Sequence, residues 1–133
     1  MDMIRDRAVS NPLDSVCQAA SCQDILTMQQ EAAAVTMKDE ILAYITRLCI
    51  ASREHPMVEL GISPRGAIAV SRMARACAYL HGRDYVVPED VREVFTDVCA
   101  HRLLLSQKAK AAHLTAQTVL EQISEEVNEP YHG

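Results

Sequence analysis

The chain has 133 residues, which is enough for one domain with a single modest hydrophobic core. Hydrophobic residues make up 49% of it and charged residues 23%, a globular balance that excludes an intrinsically disordered chain. The formal net charge of −5 argues against a general nucleic-acid binder, and no apolar run approaches the ~20 residues of a membrane span.

The first predicted helix is short and begins after Ser21, whose side chain can cap it. Residues 1–20 before it show no clear pattern, and we predict a linker that is partly flexible. A longer helix is predicted from its cap, Thr36, to about Ser52. Apolar residues recur along this helix at the helical period. They are Ile41, Tyr44, Ile45, Leu48 and Cys49.

Two helices are predicted in the middle of the chain, each with a proline at its first position. The first covers residues 64–81 and stops at Gly82, a natural C-cap. Its expected core positions are Ile68 or Ala69, Val70, Met73, Ala74, Cys77 and Leu80. The second covers residues 88 to about 105. Its apolar stripe is Val91, Val94, Phe95 and Val98.

The last predicted helix covers residues 116–127, with Thr115 as its cap. Its expected core residues are Val119, Leu120 and Ile123. The segment 106–114 before it has no decisive pattern. Residues 129–133 are interpreted as a frayed tail.

These elements predict an all-α domain over residues 21–128, a small bundle of four main helices with one or two short ones. Val35 and Val86 are β-favouring positions that can form one tiny strand pairing. Alanine, leucine and methionine fill most core positions and the chain has only four glycines, which favours helices over a turn-rich sheet protein.

The start of the helix at residue 64 is the most informative local feature. Ser63 is a good N-cap, and Pro64 follows at the first helical position, where its missing N–H costs nothing. Arg65 then lies in the first turn, although helix N-termini favour acidic side chains. A cation beside free backbone N–H groups suits an anion such as phosphate. The alternative is a plain capped helix whose Arg65 faces solvent.

The residues provide no catalytic machinery of their own. Gly61 and Gly66 have the G-x4-G spacing of a phosphate loop, but alanine and isoleucine follow where the loop needs lysine and a hydroxyl residue. The acid pair Glu89 and Asp90 is interpreted as a capping and solvated pair at a helix start rather than as a general acid and base. We therefore predict that the isolated chain is not an enzyme.

The cysteines indicate a reducing compartment. They are odd in number and fall mostly on apolar helix positions, as free thiols do. They are Cys17, Cys22, Cys49, Cys77 and Cys99. Cys77 and His81 lie four residues apart, but no CxxC or HxxxH pair is present to start a zinc site, so we predict no metal site. His101 and Arg102 are interpreted as a charge pair at a helix C-terminus.

Several strings in the middle of the chain occur in a specific order and spacing. They are Arg-Glu-His-Pro at 53–56, Val-Glu-Leu-Gly-Ile-Ser-Pro-Arg at 58–65, Arg-Ala at 75–76, Gly-Arg-Asp-Tyr-Val-Val-Pro-Glu-Asp-Val at 82–91 and His-Arg-Leu at 101–103. On these strings, residues 21 to about 105 resemble the C-terminal helical lid of MoxR-type AAA+ ATPases. Val87 departs from the family pattern, because a capping threonine is common there.

The resemblance implies a function for the helix start at residue 64. In that family the lid follows an α/β nucleotide-binding core in one longer chain, and that core is missing here. The arginine of the Ser-Pro-Arg motif is the sensor 2 residue, which corresponds to Arg65, with Ser63 and Pro64 completing the nucleotide-contacting motif. The lid of this family couples ATP binding and hydrolysis in the core to conformational change and ring assembly.

The resemblance also implies cofactors and partners. ATP and Mg²⁺ are expected in the full-length protein, and none in the isolated chain. The expected partners are the AAA+ core domain, neighbouring subunits of a ring and an unknown client protein of a chaperone-like activity, without nucleic acid or a membrane span. The reduced cysteines and the absence of a signal-peptide pattern at the start predict a cytoplasmic location.

Two other functions remain open on the residues alone. One is a free-standing helical adaptor that binds a partner protein through the alanine-rich, arginine-bearing face of the 64–81 helix. The other is a helical nucleic-acid binder, because residues 64–83 hold four arginines and no acid. Those arginines are Arg65, Arg72, Arg75 and Arg83.

Overall fold

The computed structural model describes residues 21–130, so the predicted linker at 1–20 and the last three residues of the predicted tail lie outside it. Over this part, six helices and one two-stranded antiparallel sheet confirm the predicted all-α class. Within the described residues, a boundary between two units falls after Gln30. The elements are α1 (Cys22–Ala33), α2 (Asp39–Glu54), β1 (Val58–Leu60), α3 (Pro64–Leu80), α4 (Pro88–Cys99), β2 (Leu104–Leu105), α5 (Gln107–Ala111) and α6 (Ala116–Glu126).

Helix α1 begins where the sequence predicts. The Ser21 hydroxyl accepts a hydrogen bond from the Asp24 backbone N–H at 3.1 Å, and the Asp24 carboxylate accepts one from the Ser21 N–H at 3.0 Å. This reciprocal pair is a capping box with aspartate as its acid. The apolar side chains of Ile25, Leu26 and Met28 are exposed, so α1 buries no face within the described residues.

Helix α2 begins at Asp39, so the predicted cap Thr36 is wrong. The Thr36 N–H donates to the Asp84 carbonyl at 2.9 Å, and the Thr36 carbonyl accepts from the Val86 N–H at 2.9 Å. This pairing with a distant segment keeps Thr36 in extended backbone and delays the helix. The predicted apolar stripe of α2 is buried, and the helix ends at Glu54.

The predicted pairing of Val35 with Val86 is found one residue away. Thr36 and Tyr85 form an isolated parallel bridge, and both valines are buried beside it. The bridge ties the segment before α2 to the segment before α4.

The two-stranded sheet is not predicted by the sequence. Its opposed residues are Val58 with Leu105 and Leu60 with Leu104. The predicted continuation of α4 to residue 105 is wrong: α4 ends at Cys99, and a turn closed by the Arg102 N–H on the Cys99 carbonyl at 2.9 Å redirects the chain into β2. Residues 100–105, predicted as helix, therefore form a turn and the strand that pairs with β1. This pairing brings the residues after α4 beside the segment that leads into α3.

The core of residues 31–130 lies between α2, α3, α4 and α6. Its largest fully buried side chains are Tyr44, Phe95, Ile41, Leu48, Ile62 and Leu120. The predicted core residues of α6 are all buried; in α4, Val98 is only half-buried and Cys99 is buried beyond it. None of the helices between residues 21 and 130 has the length and apolar character that crossing a membrane requires.

Helix α3 buries a narrower face than predicted. Its buried residues are Gly66, Val70, Ala74, Cys77 and Ala78. Met73 and Leu80 are exposed, Leu80 by 82%, so these two predicted core positions are wrong; of the alternatives Ile68 and Ala69, Ile68 is exposed and Ala69 is half-buried. Small side chains at a spacing of four residues let the neighbouring helix α4 pack closely, and the larger apolar residues of α3 stay on its outer face.

Asp90 is a buried carboxylate at the start of α4, so it is the cap that the sequence predicts but is not solvated as predicted. Its side chain is 1% exposed, and two guanidinium nitrogens of Arg83 donate to its two oxygens at 2.6 and 2.7 Å. The Val87 N–H also donates to it at 2.8 Å, which secures the start of α4 without a capping threonine. Burial alone would raise the pKa of Asp90, but these hydrogen bonds outweigh burial and hold the pKa below its usual value.

The last helix, α6, has the cap that the sequence predicts. The Thr115 hydroxyl accepts from the backbone N–H three residues on at 3.1 Å. Beyond the helix, the Asn128 carbonyl accepts from the Arg47 guanidinium at 3.0 Å, and Glu129 pairs with Arg92 at 2.8 Å. These two contacts hold residues 128 and 129 against the bundle.

Candidate functional site

The start of α3 has the local geometry that the sequence predicts. The Ser63 hydroxyl accepts a hydrogen bond from the Gly66 N–H at 3.3 Å, and Pro64 is the first helical residue. Arg65 follows with an exposed side chain. The predicted site residues Ser63, Pro64 and Arg65 therefore form one exposed helix end, which we call the α3 tip.

The α3 tip is fixed to the end of α2. The Ser52 hydroxyl donates to the Cys49 carbonyl at 2.6 Å and accepts from the Ile62 N–H at 2.9 Å. The Arg53 guanidinium donates from Nε to the Ile62 carbonyl at 3.0 Å. Ser52 and Ile62 are both fully buried. The two backbone groups of Ile62 are thus held by α2, so the position of Ser63 and Arg65 follows from the fold.

The two glycines beside the tip have a packing explanation. A Cβ atom on Gly61 would lie 2.7 Å from the Arg53 Cα, and a Cβ atom on Gly66 would lie 2.6 Å from Cγ2 of the buried Ile62. Neither neighbour can move away easily, because one is backbone and the other is a branched side chain in the core. The G-x4-G spacing therefore reflects close approach of α2 and of Ile62.

The side chain of Arg102 lies beside the α3 tip, and sequence reasoning missed it. Its Cδ atom would lie 3.5 Å from a Cβ atom on Gly66, which places its side chain beside the first turn of α3. The interpretation of His101 and Arg102 as a helix C-terminal pair is wrong, because α4 ends at Cys99 and both residues lie in the following turn. Only the β1–β2 pairing brings Arg102 to the tip, and so short a sheet leaves no clear sequence signal.

The four arginines of the basic segment divide into two pairs. Arg75 donates from Nε to the Val35 carbonyl at 3.1 Å, and Arg83 binds Asp90, so both have structural partners. Arg65 and Arg72 are exposed, and no residue between 21 and 130 forms a hydrogen bond or ion pair with either side chain. The basic segment is therefore not one continuous free cationic face, which weakens the hypothesis of a nucleic-acid binder.

Replacing Ser63 with alanine is expected to lower the free energy of unfolding by about 1 kcal/mol, because the Gly66 N–H loses its acceptor. Urea denaturation at neutral pH measures this change. Ser71→Ala is the matched control on the same helix, since the Ser71 hydroxyl only bonds back to the Ile68 carbonyl at 2.7 Å. It is expected to change stability by less than about 0.5 kcal/mol. Equal losses at both positions would contradict the capping role.

Comparisons with known proteins assign the family. A family model described as the AAA lid domain matches residues 50–123, which include α3, its tip and the turn that holds Arg102. The uncharacterized protein YeaC of Bacillus subtilis is 33% identical over 98% of this chain and 41% of its own length. The chaperone MoxR1 of Mycobacterium tuberculosis is 33% identical over 85% of this chain and 32% of its own length.

A solved structure supports the same assignment. The crystal structure of a provisionally assigned ATPase from Cytophaga hutchinsonii superposes with a TM-score of 0.82 at 32% identity, over 96% of this chain and 41% of that chain. The chain thus spans less than half the length of each of these proteins. Because the family model covers more than half of the chain, this chain belongs to the AAA lid domain family, and a MoxR protein is among the relatives that it matches.

Proposed function

We propose that this lid acts in an ATP-hydrolysing protein and that Arg65 is its sensor 2 residue, which contacts the γ-phosphate. The observation that carries the proposal is the position of Arg65 in the first turn of α3, exposed and without a partner among residues 21–130. A cation there is unfavourable for the lid alone, because the helix N-terminus is itself positive. It becomes favourable when an anion binds at the same helix end.

The chemistry of the tip suits a phosphate group. A guanidinium stays charged at every physiological pH and donates two parallel N–H bonds to phosphate oxygens. The Arg102 side chain lies beside Gly66 and the Arg53 guanidinium binds the Ile62 carbonyl, so both belong to the surroundings of the tip. In this proposal ATP and Mg²⁺ are held by the core domain, and this chain contributes only the cations and backbone N–H groups of its α3 tip. Loss of the γ-phosphate removes the partner of Arg65 and lets the lid move.

The face of α3 that carries Arg65 is proposed to meet the core. Ile68 and Arg72 follow Arg65 at three and seven residues, so the three side chains share one side of the helix, and all are exposed. An apolar side chain between two arginines suits a surface that is covered when the nucleotide is bound. Because MoxR1 is named a chaperone, we extend the proposal to a chaperone-like ring in the cytoplasm that acts on a client protein.

The proposal is tested by joining this chain to the nucleotide-binding core of a MoxR-type relative. ATP turnover is measured for the core alone, for this chain alone and for the joined protein. The joined protein is expected to turn over ATP about 100-fold faster than the core, the size of effect that one transition-state hydrogen-bond donor supplies. The same core joined to an unrelated helical bundle of similar length is the control. Equal turnover with and without this chain would contradict the proposal.

A further inference from the structure

Three side chains with metal-binding atoms meet where the end of α3 packs on α4. They are the Cys77 thiol, the His81 imidazole and the Glu93 carboxylate, whose ligand atoms all lie within 4.8 Å of one another. The Cys77 Sγ lies 3.3 Å from Glu93 Oε2 and 3.7 Å from His81 Nδ1. We propose that these three residues bind a zinc ion, with water as the fourth ligand.

The two distances from the Cys77 sulfur fit the coordination sphere of zinc. Zinc bonds of about 2.3 Å to sulfur and about 2.0–2.2 Å to nitrogen and oxygen, set at tetrahedral angles, place the ligand atoms about 3.6 Å apart. The two measured distances from Cys77 Sγ lie on either side of that value. The ligand set of one sulfur, one nitrogen and one oxygen suits zinc better than the all-oxygen preference of Mg²⁺ or Ca²⁺.

A metal can replace a proton that already bridges two of these residues. The Cys77 thiol donates to the Glu93 carboxylate, with 3.3 Å between Sγ and Oε2. When zinc binds, the sulfur–zinc bond forms as the S–H bond breaks, and the proton leaves to solvent. Thiolate and carboxylate together then carry two negative charges, which balance those of Zn²⁺.

The third ligand, His81, lies at a favourable place for a cation. It follows the last residue of α3, and the C-terminal end of a helix is negative. Its Nδ1 lies 2.8 Å from the Cys77 carbonyl oxygen and donates to it. When zinc binds, the Nδ1–H bond breaks, the proton is carried by Nε2 of the neutral ring instead, and the bond to zinc replaces the hydrogen bond. The side chain is exposed, which leaves the ring room to turn.

The neighbouring carboxylate of Asp90 does not complete the site. Both of its oxygens are held by Arg83, and one also accepts from the Val87 N–H. A fourth position open to water therefore remains on the solvent side, where His81 and Glu93 are exposed. Cys77 lies twelve residues along α3 from Arg65, about 18 Å away at 1.5 Å per residue, so the zinc site stands independently of the sensor 2 proposal.

The test is titration of the tag-free chain with Zn²⁺ by calorimetry and with Co²⁺ by absorption. We expect one ion per chain and a thiolate-to-cobalt charge-transfer band. His81→Ala and Glu93→Gln are each expected to weaken Zn²⁺ binding more than about tenfold, the least that loss of even an outer-shell partner costs. Cys77→Ser is expected to abolish the band.

Cys22→Ser and His101→Ala are the matched controls, because both residues are exposed and lie outside the cluster. Both variants are expected to bind zinc as the unaltered chain does. Circular dichroism in metal-free buffer checks that each variant is folded; His81 and Glu93 are exposed, so their variants decide the matter even if Cys77→Ser is unstable. Unchanged zinc affinity in His81→Ala and Glu93→Gln would overturn the proposal. So would the absence of zinc binding by the unaltered chain.

Discussion

Replacing Arg65 with alanine in a protein that joins this lid to a AAA+ core is expected to lower the turnover number for ATP by about 100-fold. The guanidinium is proposed to stabilise the charge that develops on the phosphate oxygens, so its loss acts on the transition state more than on binding. The free energy of unfolding of the lid is expected to change by less than about 0.5 kcal/mol, because an exposed side chain without a partner is removed.

Arg72→Ala is the matched control for this prediction. Arg72 lies on the same side of α3, is equally exposed and carries the same charge, but it lies about 10 Å further along the helix from the tip. Steady-state kinetics of both variants give kcat and KM for ATP, and urea denaturation gives their stability. Normal turnover in Arg65→Ala would remove the sensor 2 assignment. An equal fall in Arg72→Ala would show that the face of α3 proposed to meet the core, rather than the tip, matters.

The parts of the fold that the sequence predicted are those with local causes. The cap at Ser63 depends on residues three positions away, and the buried stripe of α2, such as Ile41 and Leu48, depends on the helical period. The predicted end of α4 was wrong because the segment around Leu104 pairs with β1, which lies more than forty residues earlier in the chain. Thr36 failed as a cap for the same reason, since its backbone groups pair with the segment before α4.

The residues of the candidate site also divide into those with a local sequence signal and those brought together by packing. Arg65 could be predicted because its unfavourable place in the first helical turn is visible in three consecutive residues. Arg102 could not, because only the sheet carries it to the tip. Cys77 and His81 show their spacing of four in the sequence, but Glu93 joins them from another helix. Packing between elements, rather than any local pattern, brings Arg102 to the tip and Glu93 to the proposed zinc site.

Replacing Asp90 with alanine is expected to lower the free energy of unfolding by about 3 kcal/mol, the low end for breaking a buried ion pair. The variant leaves two Arg83 nitrogens and the Val87 N–H without their acceptor. The low end applies because the Arg83 side chain is 25% exposed, so water can partly replace the carboxylate. Urea denaturation at neutral pH measures the loss.

Glu129→Ala is the matched control for burial. Glu129 pairs with Arg92 at 2.8 Å, close to the distances of the Arg83–Asp90 pair, but the Arg92 side chain is 47% exposed. Exposed ion pairs contribute little, so this variant is expected to lose less than about 1 kcal/mol. Similar losses in Asp90→Ala and Glu129→Ala would mean that burial does not set the strength of these two pairs.

Acid provides an independent check on the role of the Asp90 charge. The pKa of Asp90 in the folded protein lies below its ordinary value of about 3.9, so its contribution is fully present above that value and is lost as the pH falls through the folded pKa. The difference in unfolding free energy between the unaltered chain and Asp90→Ala is therefore expected to shrink between about pH 5 and about pH 2. Asp90→Asn keeps the shape and an acceptor oxygen but not the charge, and should lose less at neutral pH. A difference that stays constant down to about pH 2 would mean that packing of the side chain, and not its ionised carboxylate, stabilises the start of α4.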